Sequence, residues 1–121
     1  MSGNYGRHER VAGQLRRVLA DLIWSEVKDP RLGPVSVTDV EVSRDLSHAR
    51  VYVATSQSET IEQSLKALRN AAGFLRSRLG RELSMRSIPE LRFLHDDSIE
   101  KGDRIEALLA KARKRSDQRD D

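Results

Sequence analysis

Cysteine is absent from the 121 residues of this chain. Disulfides, thiolate metal sites and a cysteine nucleophile are thereby excluded, and the composition suits a reducing compartment. Aromatic residues are nearly as scarce: Tyr5, Trp24, Tyr52, Phe74 and Phe93 make up 4% of the chain. Sheets that stack RNA bases need exposed aromatics on adjacent strands, and so few scattered rings do not build such a platform. No apolar run approaches the roughly 18 to 20 residues that cross a bilayer. The first eight residues contain no apolar signal core either. A cytoplasmic protein without membrane contact is the expectation. Neither a GxxxxGK[ST] nor a GxGxxG phosphate loop occurs.

What the chain has in quantity is charge, at 34% of residues, with a net value of only +3. The charge is segregated. Residues 60–94 carry seven basic and three acidic side chains, and residues 1–28 and 111–121 carry five and three each. Residues 29–59 and 95–110 are acidic on balance. Segregated basic charge at a pI near 9.6 suits a polyanion partner, or else a heavily solvated surface.

The length fits one domain with one core. Residues 1–6 are rich in Gly, Ser and Asn and read as a flexible terminus. From Arg7, Val11, Leu15, Val18, Leu19, Leu22 and Ile23 recur at helical spacing, and Trp24 and Val27 extend that apolar side. Arg7, Arg10, Arg16 and Arg17 lie toward the other faces. The helix is expected to end before Asp29-Pro30, since a residue preceding proline disfavours helical geometry. Val35 to Val42 alternates apolar and polar residues as a half-buried strand does. The alternation slips between Val37 and Val40, which predicts a bulge. A short polar link then leads to Ala49–Ala54, a second strand and hence an antiparallel hairpin.

Ser56-Gln57-Ser58-Glu59 has a capping-box pattern and opens a long apolar stripe: Ile61, Leu65, Leu68, Ala72, Leu75, Leu79 and Leu83. A glycine inside a helix costs about 1 kcal/mol relative to alanine, so Gly73 favours two helices meeting at a bend near Ala71-Ala72-Gly73. Pro89 leads into a third strand over Leu91–Leu94. Residues 99–115 read as a C-terminal amphipathic helix and 116–121 as a disordered tail. The expected architecture is α+β: α-β-β-α-α-β over residues 7–98, a three-stranded sheet covered on one face by helices, plus the terminal helix.

Catalytic chemistry finds little support. His95-Asp96-Asp97 is the one cluster that suggests a metal hydrolase, but His8 and His48 show no ligand-like spacing around it. No nucleophile–base–orienter pattern occurs. No metal, cofactor or small-molecule substrate is expected. The bent helix pair is different. A helical projection puts Lys66, Arg69 and Gly73 opposite the apolar stripe, with Arg76 at the edge and Arg78 and Arg81 further round. Gly73 presents bare backbone to an approaching sugar-phosphate chain, and a helix starting there would offer amides to a phosphate. Ala71-Ala72-Gly73 packing closely on the sheet or the first helix is the competing reading. Trp24 and Phe74 are expected in the core rather than as stacking residues. A protein-interaction module docking an acidic partner is the alternative to RNA binding.

The chain resembles the ribosome-binding factor A family over roughly residues 7–110. The carriers are Arg10-Val11, Val27-Lys28-Asp29-Pro30-Arg31-Leu32, Val35 through Leu46, and Ala49-Arg50-Val51-Tyr52-Val53. Leu68-Arg69-Asn70-Ala71-Ala72-Gly73-Phe74-Leu75-Arg76, Pro89-Glu90-Leu91-Arg92-Phe93 and Asp97-Ser98-Ile99 complete them. The resemblance implies a type II KH fold and a monomer that binds the immature 30S subunit through 16S rRNA. It further implies assistance to 16S rRNA 5′-end maturation and to growth in the cold, without catalysis. KH domains clamp a backbone with a GxxG loop; here the family's AxG kink stands in its place, as Ala71-Ala72-Gly73. Lys66, Arg69, Asn70, Ala71, Ala72, Gly73 and Arg76 are the implied RNA contacts, with Arg7, Arg10, Arg78 and Arg81 behind them. The kink favours backbone and shape recognition over base reading.

Overall fold

The slip in apolar alternation along the first strand is a bulge. A computed structural model describes residues 6–98 and places this strand, β1, at Val35–Val42. Its register against β2 (His48–Thr55) shifts between Val37 and Asp39. Val35 and Val37 face the core before the shift, and Val40 and Val42 face it after. One inserted residue thus keeps valines of opposite parity on one face.

A 20-residue helix, α1, precedes the hairpin at Arg7–Glu26 and buries Val11, Leu15, Leu19, Leu22 and Ile23. Val27 is already extended. Asp29 then grips Arg31 through its carboxylate, and Leu32 N–H closes a turn onto Asp29 O at 3.0 Å. Ser64, fully buried, accepts the Gly33 N–H at 2.9 Å. A side chain at Gly33 would meet Thr60 Oγ1 at 3.0 Å, so glycine lets this turn lie against the start of the next helix.

The capping box does not form. Ser58–Thr60 makes a single 3-10 turn, and α2 (Ile61–Asn70) begins after it with no side-chain cap. Ile61 is the first residue of the apolar stripe, and burying it sets the start of α2 in place of the local Ser-Glu pairing. Ala71 separates α2 from α3 (Ala72–Leu83), so the bend lies where glycine suggested, one residue before the helix that contains it. Ser84 ends α3 in the left-handed region.

The last strand, β3 (Glu90–His95), pairs parallel to β2, which is therefore central, with β1 antiparallel on its other side. A parallel neighbour needs a crossover, and α2 and α3 provide it. Together with α1 they cover one face, where Leu15, Leu19, Val51, Val53, Leu68, Leu75, Leu79 and Phe93 are completely enclosed. Each such side chain contributes about 1.5–3 kcal/mol of burial. The opposite face is open and polar: Tyr52 donates to Glu41 at 2.8 Å, beside Arg50. The segments 1–5 and 99–121, with the terminal helix expected at 99–115 and the tail at 116–121, lie outside the described residues.

The hairpin turn carries a titratable lock. Asp45 accepts from the hydroxyls of Ser47 and Ser43 at 2.7 Å each and from Ser47 N–H at 3.1 Å. These bonds favour the charged form and lower its pKa to about 2. A depressed folded-state pKa means the stabilisation is complete above the unfolded value, ~3.9, and is lost as pH falls through about 2. Carboxyl NMR is expected to show the Asp45 midpoint there, and Asp45→Asn should remove that part of the acid dependence. A midpoint at the ordinary carboxylate value would refute the lock.

Candidate nucleic-acid interface

Side chains at the bend divide into those held by the protein itself and those left available. Arg69, on α2, donates from Nη2 to Phe93 O at 3.1 Å. Arg76, on α3, donates to Pro89 O at 3.2 Å and Ile88 O at 2.9 Å. Arg69 therefore reaches back over β3, an edge strand among the described residues, and Arg76 over the Ile88-Pro89 segment that leads into it. Arg78 pairs with Glu26 of α1 at 2.9 Å and lies 5.9 Å from the centre of the Phe74 ring. These three arginines remain surface cations, but each also holds elements together.

Lys66 and Arg81 are exposed and have no hydrogen bond or ion pair among the described residues. Asn70 and Ala71 line a shallow groove of about 320 Å³ between the bend and the end of α1, with Lys28 and Phe74 on its walls. Ala71 and Ala72 are half-buried and pack on the core. Gly73 is exposed, and a Cβ built on it would meet nothing within 4 Å. Close packing therefore does not explain this glycine. Its backbone is helical, so no strain demands it. Bare backbone is presented outward; of the two uncommitted cations, Lys66 lies on α2 and Arg81 eight residues further along α3.

Arg7 and Arg10 are not brought to the bend. They sit at the start of α1, and about 24 Å of helix separates Arg10 from Glu26 near the groove. Trp24 and Phe74 are the plain corrections to the sequence reading: Trp24 is 85% exposed and Phe74 46%. Trp24 follows Arg10 and Arg17 at intervals of seven residues, which puts all three on one outward stripe. Trp24 had been counted with the apolar side of α1, but helical phase decides. Arg16 and Arg17, absent from the sequence-derived contact set, are exposed and without a described partner.

The His95-Asp96-Asp97 cluster does other work. Asp96 accepts from Thr38 Oγ1 at 2.6 Å and from the Ser98 hydroxyl and N–H, at 2.6 and 2.9 Å. The Ser98 hydroxyl, then Thr38, holds its pKa below the usual carboxylate range. The carboxylate ties the end of β3 to the bulge of β1. Among the described residues no group of three candidate ligands could hold a metal ion, and no helix is long and apolar enough to cross a membrane.

Comparison with known proteins agrees with this architecture. The family model described as ribosome-binding factor A matches residues 7–109. Ribosome-binding factor A of Pseudomonas putida is 48% identical over 115 residues, covering 93% of this chain and 87% of that protein. The Dechloromonas aromatica protein of the same name is 47% identical and covers 94% and 93%. Among solved structures, ribosome-binding factor A from Thermus thermophilus superposes with a TM-score of 0.66 at 38% identity, over 73% of this chain and 93% of that one. A homology model of the Thermus thermophilus factor, fitted into a cryo-EM map of a 30S complex, gives 0.62 at 38% identity, over 71% and 91%.

Two substitutions separate the committed from the available groups. Gly73→Ala is expected to raise stability by about 0.5–1 kcal/mol in urea denaturation, since it gains helix propensity and meets no neighbour. Arg76→Ala is expected to lower it by about 1–2 kcal/mol, through loss of the carbonyl bonds that hold α3 to the Ile88-Pro89 segment. The reverse order of stabilities would contradict the division of roles.

Proposed function

Because this chain belongs to the ribosome-binding factor A family, we propose that it binds the small ribosomal subunit during assembly, through 16S rRNA, and acts by binding rather than catalysis. The observation that carries the contact site is Gly73: an exposed, bare helical backbone that no neighbour among the described residues uses. Lys66 on α2 and Arg81 on α3 supply the kind of charge that dominates attraction to a sugar-phosphate chain. Asn70 and Ala71 line the adjoining groove. Arg69, Arg76 and Arg78 add positive potential while staying bonded to their own protein partners. This arrangement suits backbone and shape recognition. The open sheet face presents one aromatic, Tyr52, already bonded to Glu41, and so offers no stacking platform.

A factor of this kind works by selection. Occupying one conformer of an unfinished rRNA region stabilises it in proportion to the difference in affinity between conformers. A tenfold difference shifts the equilibrium by about 1.4 kcal/mol. Assistance to 16S rRNA 5′-end processing and to growth in the cold follows from family membership, because misfolded RNA escapes more slowly at low temperature. The reading is of a cytoplasmic monomer that requires neither cofactor nor small-molecule substrate.

The test is cosedimentation of the purified chain with small subunits across a salt series. Lys66→Ala should flatten the log–log salt dependence by about one unit, and Gly73→Gln should weaken binding severalfold while leaving the fold intact. RNase digestion should abolish cosedimentation. Persistence after digestion would point instead to a protein partner, and a chain that never travels with small subunits at low salt would end the proposal.

A further inference from the structure

The outward face of α1 is built unlike a merely solvated one. Opposite its buried leucines run Arg10, Gly13, Arg17, Ala20 and Trp24, all exposed. Arg10, Arg17 and Trp24 recur every seventh residue, which keeps them in line at intervals of about 10.5 Å along the helix. The two residues between them are the smallest available. A Cβ on Gly13 would meet nothing within 4 Å, so this mid-helix glycine, like Gly73, answers no packing need in the described fold.

Trp24 is the second observation. At 85% exposed it is the largest apolar side chain left to solvent, and Phe74, the other exposed ring, is already covered in part by Arg78. Beside Trp24 lies a cleft of about 290 Å³ walled by Val27, Leu32, Pro34 and Val35. Charge names the partner. Arg10, Arg16 and Arg17 have no bond or ion pair among the described residues, whereas Arg69, Arg76 and Arg78 are all engaged. Of the acidic residues on this helix, Glu26 is taken by Arg78 and Glu9 lies 3.8 Å from His8. Asp21 alone remains beside the stripe.

We propose that this face of α1 is a second RNA site, which takes a single-stranded segment with phosphates on Arg10 and Arg17 and one base stacked on Trp24. It rests on the reading of the chain as a ribosomal-RNA binder, and it differs from the bend in kind. The bend receives backbone, while α1 also holds a base face. Stacking on an aromatic tolerates any base, so the site recognises unpaired RNA without reading its sequence. A factor that engages unpaired strand at one surface and structured backbone at another distinguishes unfinished rRNA from finished rRNA.

Trp24 is the chain's single tryptophan, so its fluorescence reports on this site alone. The full-length protein is titrated with a single-stranded ten-nucleotide oligo(A) and with an abasic oligomer of equal length. Saturable quenching by the first and not the second is expected. Small-subunit binding is followed in parallel, with folding checked by far-UV circular dichroism. Trp24→Ala should weaken subunit binding about tenfold while Trp24→Phe retains most of it. Arg10→Ala with Arg17→Ala should lower the oligo(A) salt slope by about 1.4. Gly13→Glu should weaken both interactions.

Absence of quenching overturns the proposal, as does unchanged subunit binding by all the α1 variants. Loss of subunit binding in Trp24→Ala without any quenching by oligo(A) also overturns it, by showing that the face docks protein. Wild-type protein that ignores small subunits altogether would instead remove the functional reading on which this site rests.

Discussion

The parallel pairing of β2 with β3 is the constraint on which the rest of the structure depends. An antiparallel third strand would need only a tight turn. A parallel one obliges the chain to return across the sheet before re-entering it, and the residues from Ile61 to Leu83 make that return as two helices. The bend at Ala71 follows, because α2 contacts β3 while α3 must also reach α1. Arg69 and Arg76, one on each side of the bend, fasten it to a carbonyl of β3 and to the two carbonyls just ahead of that strand. What looks like a functional hinge in sequence is thus first a solution to strand direction. Its outward surface is what remains for a ligand.

This changes how the basic residues should be counted. The segment from 60 to 94 is the most positive part of the chain, yet three of its arginines are engaged with carbonyls or with Glu26. An engaged arginine still attracts a phosphate, but moving toward one costs the bond it already makes. Lys66 and Arg81 carry no such cost, nor do Arg10, Arg16 and Arg17 on α1. The distribution of uncommitted charge is therefore flatter along the molecule than the sequence tally suggests.

Much of the fold was legible because it rests on periodicity. The apolar stripe through Leu68, Leu75 and Leu79 and the valine slip in β1 both reflect burial, which is read from spacing alone. The element order and the bend agree with that reading. What failed were inferences from local chemistry or residue size. Ser56 to Glu59 has the letters of a capping box, but burial of Ile61 sets where α2 starts. Trp24 was counted with the apolar side of its helix, although its phase with Arg10 and Arg17 already placed it outside. The hydrogen bonds of Arg69 and Arg76 could not be read at all: their acceptors lie more than ten residues away, on β3 and the segment just ahead of it, whose position only the crossover determines. For the same reason the outward surface at Gly73 was legible as a glycine but not as an unused one.

The clasp between Thr38 and Asp96 has a consequence for the order in which the molecule assembles. Its partners are 58 residues apart in the chain, whereas β1 and β2 are joined by a five-residue link and can pair early. Closing a long loop costs more chain entropy than closing a short one, and contacts of large separation form late. The end of β3 is therefore expected to be sealed late, after the hairpin has already paired.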